Sequence, residues 1–202
     1  MPSATRPPPW PSPAFPEGTQ TGTQPSGTHA VRLFFALWPS PTHREALATA
    51  TAAVVAQVDG QAVPKANFHV TLAFLGSVPE GAVRRLIEIG GEGGYPVLDL
   101  DFDRVEYWPR PKVLVTMPGQ VPAAGAEMVD RLWERIVPLG IEREHRPWRP
   151  HLTLVRRVRR LPLDGPALAV VRLPTAGSSA RWSLALVESL TQTDGVHYRP
   201  LA

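Results

Sequence analysis

The chain contains no cysteine in 202 residues. Disulfides, thiolate nucleophiles and Cys-ligated metals are therefore excluded, and the composition suits a cytoplasmic protein, the location expected here. Lysine is almost absent as well, with two Lys against nineteen Arg, so the formal net charge of +3 is carried by guanidinium groups. No apolar run approaches the length of a membrane span. There is no Gly-x-Ser-x-Gly elbow and no Gly-rich phosphate loop, which removes two common routes to acyl and phosphoryl chemistry. A metal centre needs three or four ligands, and neither His-x-x-x-His nor a cluster of acids lies near the motifs described below, so no metal and no cofactor is expected. What remains is a chain with 43% hydrophobic and 19% charged residues. It is long enough for one large domain or two small lobes around a real core.

Aliphatic residues are scarce at the start. Residues 1–29 are Pro, Ser, Thr and Gly, as in Arg6-Pro7-Pro8-Pro9-Trp10-Pro11. Such a segment buries too little apolar area to offset its ordering entropy, so a disordered extension with polyproline character is expected, followed by the folded domain at 30–202. It also lacks the apolar centre of a secretory signal.

The informative stretch is Asn67-Phe68-His69-Val70-Thr71-Leu72-Ala73-Phe74-Leu75-Gly76. Its His-apolar-Thr-Leu pattern returns at Arg149-Pro150-His151-Leu152-Thr153-Leu154-Val155-Arg156. Six His and fourteen Thr in this length give on the order of 0.4 His-x-Thr triplets by chance. Two copies that also share an apolar middle residue and a following Leu are therefore a signal. One copy alone reads as a satisfied sheet histidine. Both copies are apolar runs bounded by Pro or Gly, which predicts strands. Residues i and i+2 of a strand share a face, so each copy sets an imidazole beside a hydroxyl.

The elements around the motifs also come twice. Arg32–Pro39 reads as a buried strand, followed by a helix from Pro41 to about Val58 with Ser40 or Thr42 as cap. The first His-x-Thr strand comes next, then a helix opened by Ser77-Val78-Pro79-Glu80 and running to about Ile89. Residues 97–108 alternate as a strand with one wet face. Lys112–Met117 then matches the opening strand, and Val121 to about Leu139 matches the first helix, with Met128, Leu132, Trp133 and Ile136 as its apolar stripe. After the second His-x-Thr strand, residues 158–180 read as loop with one short strand around Ala167–Leu173. Arg181–Leu190 answers the strand at 98–108, and a last strand lies near His197–Leu201. The fold class predicted is α+β and pseudo-duplicated.

Two histidines on facing strands can take and give a proton near neutral pH. A threonine two residues on can donate to an oxygen of an anion held between them. Arg143, Arg146, Arg149, Arg156, Arg157, Arg159 and Arg160 surround the second motif, with Glu144 the only acid among them. Most of these arginines read as a solvated face, but Arg156, five residues after His151, is placed to meet phosphate. The equipment suits metal-free phosphoester transfer.

On these residues the chain resembles the two-histidine (2H) phosphoesterases. More closely it is similar to the RNA 2′,3′-cyclic phosphodiesterase group, also known as 2′-5′ RNA ligases. The resemblance covers about residues 31–202 and rests on Arg32–Leu37, Asn67–Gly76, Arg149–Arg156 and a final strand with Tyr198-x-x-Leu201. It implies a bilobal fold of two antiparallel sheets backed by helices, with the active site in the cleft between them. It also implies His69 and His151 as the catalytic pair, with Thr71, Thr153 and Arg156 as phosphate-binding residues. The implied reaction opens a terminal RNA 2′,3′-cyclic phosphate to a 2′-phosphate, with RNA ends as partner, no membrane and a monomeric enzyme. Its alternatives are 2′-5′ ligation, opening of a small cyclic nucleotide, or a non-catalytic module that binds RNA ends. A terminal base needs an aromatic surface, for which Phe35, Trp38, Trp108 and Trp148 are the candidates, each otherwise a core residue.

Overall fold

A computed structural model describes residues 30–96, 98, 100–161, 181–193 and 195–201. The Pro-rich segment at 1–29 and the short strand expected around Ala167–Leu173 lie outside the described residues. In chain order the elements are β1 (Ala30–Pro39), α1 (Pro41–Val55), β2 (Asp59–Ala62), a 3₁₀ turn (Lys65–Asn67), β3 (Val70–Pro79) and α2 (Glu80–Gly91). They continue with β4 (Phe102–Trp108), β5 (Val113–Pro118), α3 (Ala123–Ile136), a 3₁₀ turn (Val137–Leu139), β6 (Leu152–Arg160), β7 (Trp182–Gln192) and β8 (Gly195–Pro200).

Every strand pairing is antiparallel, and the strand order is β4-β5-β6-β3-β1-β7-β8, with β2 on the free stretch of β6. The order is symmetric about the β6–β3 junction. Outward from it, β5 and β4 on one side answer β1 and β7 on the other, as the duplicated sequence predicts. The junction itself is a single pair, Val70 with Leu152. Two antiparallel halves are thus joined through one pair into a single continuous sheet, where two separate sheets were expected.

The opening strand shows why its sequence does not alternate. Leu33, Phe35 and Leu37 join the large core with Leu47 and Val54 of α1, Leu86 and Ile89 of α2, and Met128, Leu132, Trp133 and Ile136 of α3. Phe34 and Ala36 point the other way and pack with Ala185 and Val187 of β7, against Trp38, Phe74 and Tyr198. Both faces of β1 are covered, so both can be apolar. Each such Leu, Ile or Phe contributes roughly 1.5–3 kcal/mol by burial. Phe35 is fully buried in the helix-backed core, which corrects its reading as a stacking surface.

Several boundaries also differ from expectation. Helix α1 ends at Val55, capped at its start by Ser40, whose Oγ accepts from the His43 amide at 3.3 Å. Asp59-Gly60 opens β2. A side chain at Gly60 would come within 2.6 Å of Val155, so glycine permits this close crossing. The strand β3 runs on to Pro79 because Val78 and Pro79 pair with Val31 and Ala30, which delays α2 to Glu80. The strand expected from residue 97 begins at Phe102, although Leu98 and Leu100 are buried.

Candidate active site

The two motifs meet at the junction of the halves. Val70 and Leu152 are fully buried against the helices. Alternation puts their neighbours His69, Thr71, His151 and Thr153 on the opposite face, and all four line one cleft of about 250 Å³. The antiparallel register about the Val70–Leu152 pair sets each histidine across from the other copy's threonine. The sequence places an imidazole beside a hydroxyl within each copy; the fold crosses the copies over.

A matched irregularity follows each motif. Between the Phe35–Ala73 and Ala36–Thr71 pairs, Leu72 is the extra residue. Between the Leu114–Val155 and Val115–Thr153 pairs, Leu154 is the extra residue. These bulges bury two consecutive side chains, Leu72 with Ala73 and Leu154 with Val155. They return the fifth residue after each histidine to the cleft: Phe74 in one half and Arg156 in the other. Without the bulge, alternation would send Arg156 into the core. The cleft is therefore symmetric in its polar centre and asymmetric at its edges.

Both imidazoles are held in the same way. His69 Nδ1 lies 2.7 Å from the Asn67 carbonyl and His151 Nδ1 lies 2.8 Å from the Arg149 carbonyl. A carbonyl only accepts, so Nδ1 carries the proton and Nε2 is the titrating nitrogen of each ring. Asn67 is fixed in turn, its side chain donating to the Val196 carbonyl at 2.8 Å and accepting from the Tyr198 amide at 3.3 Å. Burial pulls the pKa of His69 down to about 4, assisted by the charges of Arg156 and His151 and opposed by the Asn67 carbonyl. Burial likewise pulls His151 to about 4, assisted by Arg149, Arg146 and Arg156 and opposed by the Arg149 carbonyl. Both rings are therefore neutral at pH 7.

Their surroundings differ. His69 sits among three rings, with centroids of Phe34 and Tyr198 at 4.9 Å and Trp38 stacked at 6.1 Å. His151 packs on Trp108 at 4.6 Å. The Arg149 guanidinium covers that indole at 4.6 Å, and the Glu106 carboxylate accepts from both, Trp108 Nε1 at 3.1 Å and Arg149 Nη2 at 2.5 Å. Arg156 donates to the Tyr198 hydroxyl at 3.2 Å, and Arg32 lies over Phe74 at 5.0 Å on the same wall. Trp148 is turned inward as a strut, its Nε1 donating to the Thr71 carbonyl at 2.9 Å. Among the described residues, no group of three or more His, Cys, Asp or Glu could hold a metal ion.

Residues 37–115 match the family model described as LigT like Phosphoesterase. The RNA 2′,3′-cyclic phosphodiesterase of Escherichia coli (strain K12) is 29% identical over 157 residues, 78% of this chain and 83% of that protein. The crystal structure of E. coli LigT in apo form superposes with a TM-score of 0.66 at 26% identity, covering 86% of this chain and 95% of that one. The chain is similar in sequence and fold to the LigT-like phosphoesterases. E. coli LigT complexed with NADP+ gives a TM-score of 0.62 at 26% identity over 86% and 95% of the two chains. Five of the cleft residues (His69, Thr71, His151, Thr153 and Arg156) are those expected from the sequence. Phe34, Phe74, Arg32, Tyr198 and Glu106 were not singled out, because strand phase, bulges and the β8 pairing bring them in. Arg32, Phe34, Phe74 and Tyr198 lie within the stretches that carry the resemblance, whereas Glu106 has no signal in the sequence.

Proposed function

We propose that this phosphoesterase hydrolyses the terminal 2′,3′-cyclic phosphate of RNA to a 2′-phosphomonoester, with His69 as general acid and His151 as general base. The observation that carries this reading is the crossed register, which faces each titrating imidazole with a donor hydroxyl on a rigid strand. The phosphodiester anion adds negative charge to a cleft whose lining holds no carboxylate, so one imidazole becomes protonated as substrate binds. The stacked face of Trp38 favours an imidazolium at His69. Arg156 acts on both rings, while Arg149 and Arg146 disfavour an imidazolium at His151, which keeps that ring a base.

In the reaction His151 Nε2 takes a proton from water as its oxygen bonds to phosphorus. The bond from phosphorus to the 3′-oxygen breaks, and that oxygen takes the proton of His69 Nε2. Thr71, Thr153 and Arg156 donate to the non-bridging oxygens as charge builds there. No step requires a metal. The E. coli relative named for this activity, and the NADP+ held by E. coli LigT, support a nucleotide phosphate in the cleft. The test is product analysis on an oligoribonucleotide ending in a 2′,3′-cyclic phosphate. A 2′-phosphate product is expected. A 3′-phosphate, or no reaction, would overturn the assignment, and joining to a 5′-hydroxyl RNA would favour ligation.

A further inference from the structure

The seven arginines around the second motif separate into two groups in the fold. Arg143 pairs with Asp130, Arg146 with Glu144 at 2.7 Å, Arg149 with Glu106, and Arg159 with Asp59 at 2.6 Å. Arg156, Arg157 and Arg160 hold no ion pair among the described residues, and all three lie on β6. Arg156 lines the cleft, while Arg157 and Arg160 follow it outward and are exposed. The charge of Arg160 also reaches Asp59, whose carboxylate is already bonded to Arg159.

The backbone is special at the same place. Arg157 and Lys112 are the two non-glycine residues with positive φ among those described, both at 51°. Side chains rarely adopt that conformation, and where they do the surroundings hold them there. The amide of Val158 donates to the Lys112 carbonyl at 2.9 Å, which seats the β4–β5 turn on this stretch of β6. That turn presents Arg110 and Lys112, both exposed and neither ion-paired among the described residues. Six cations, Arg159 among them, and one acid, Asp59, thus gather where the strand leaves the cleft.

We infer that the outer half of β6, with the Arg110–Lys112 turn, binds the sugar–phosphate backbone of the RNA segment that precedes the reacting end. This rests on the cleft holding an RNA 3′ end, as proposed above. At about 3.3 Å per residue, Arg156 to Arg160 spans roughly 13 Å. That length suits the one or two nucleotides before the terminal one. The contacts are to phosphate, so they select strand length and not base sequence.

The test measures binding apart from turnover, using oligoribonucleotides of one, two and four nucleotides that end in a 2′-phosphate. They compete with a labelled tetranucleotide in fluorescence anisotropy. Wild-type protein should prefer four nucleotides over one by about tenfold or more at low salt. Arg157→Gln with Arg160→Gln should reduce that preference to within about twofold and leave the mononucleotide affinity and the melting temperature unchanged. The slope of log affinity against log salt for the tetranucleotide should fall by about 1.4, for two single-strand phosphate contacts. A wild-type protein indifferent to length, or a double variant that keeps the full preference, would overturn the inference. Turnover of a mononucleotide 2′,3′-cyclic phosphate is scored separately. Its absence there, together with no turnover of the tetranucleotide 2′,3′-cyclic phosphate, would defeat the cleft reading and leave the length result to stand on its own.

Discussion

Val70 and Leu152 form the one residue pair by which β3 joins β6 among the described residues. Both side chains are fully buried, so the pair anchors the helix-backed core and turns its four polar neighbours to the cleft. A strand slip of one residue in either half would reverse that half's faces and turn its histidine into the core. The junction is also the centre of the repeated strand order. Stability and site geometry therefore depend on the same contact.

Support for Thr71 comes from further away. Trp148 donates to the Thr71 carbonyl, and its ring sits where a side chain at Gly125 of α3 would go, within 2.3 Å of an added Cβ. Gly125→Ala gains up to about 1 kcal/mol of helix propensity, but overpacking costs roughly 1–3 kcal/mol and should win. The expected result is a lower melting temperature together with slower turnover per folded molecule. A stabilised, fully active variant would show that Trp148 moves aside without consequence.

Glu106 balances the charge of Arg149 beside His151. Glu106→Gln removes that balance while keeping an oxygen that can accept. Arg149 then holds His151 further below its usual range, and the limb of the pH–rate profile assigned to the base moves to lower pH. Turnover should fall roughly tenfold with KM within about twofold, because the change acts on the proton-transferring group. Glu106→Gln with Arg149→Met should move the limb back. A profile that does not move in either variant would reduce Glu106 to a structural contact.

The histidines, the threonines and Arg156 were legible because a duplicated local pattern marks them, and the repeated element order made the two halves legible as well. The strand β2 was not. Asp59-Gly60-Gln61-Ala62 has no β-branched or aromatic residue, and only pairing with β6 makes it a strand. Nor could the sequence show whether Phe34 or Phe35 faces the cleft, since an apolar strand covered on both sides carries no alternation. Bulges at Leu72 and Leu154 are likewise set by the neighbouring strands. The Glu106–Arg149 pair joins residues far apart in the chain with no motif between them.

Acid should destabilise the fold over a defined window. His69 and His151 titrate near 4 in the fold against 6.5 unfolded, and burial also lowers His43. Between those values the unfolded chain binds more protons. Stability is therefore complete above about pH 6.5 and declines as pH falls toward 4. Urea midpoints at pH 7, 5.5 and 4.5 should drop less in His69→Gln and in His151→Gln than in the wild type. Parallel curves for all three proteins would show that the rings titrate normally.

Turnover should survive excess chelator, since the proposed steps use side chains alone. Activity lost to EDTA and restored by a divalent ion would defeat the metal-free mechanism.

The sharpest prediction concerns the pair itself. If His69 and His151 act as acid and base in one transition state, removing either disables the same step. Each single change to Ala should cost roughly 10²–10⁴ in turnover, the usual worth of one positioned proton-transfer group. The double change should cost far less than the product of the two, because groups acting as a unit are not additive. Turnover against pH should be bell-shaped in the wild type, with limbs that belong to the coupled pair in the substrate complex. Each single variant should lose one limb: His69→Ala the limb on the alkaline side, where the acid loses its proton, and His151→Ala the limb on the acidic side, where the base gains one. Loss of the opposite limb in each variant would exchange the two roles. Turnover and thermal melting on the same preparations separate chemistry from folding. Stable single variants that turn over at the wild-type rate would end the catalytic reading of both histidines.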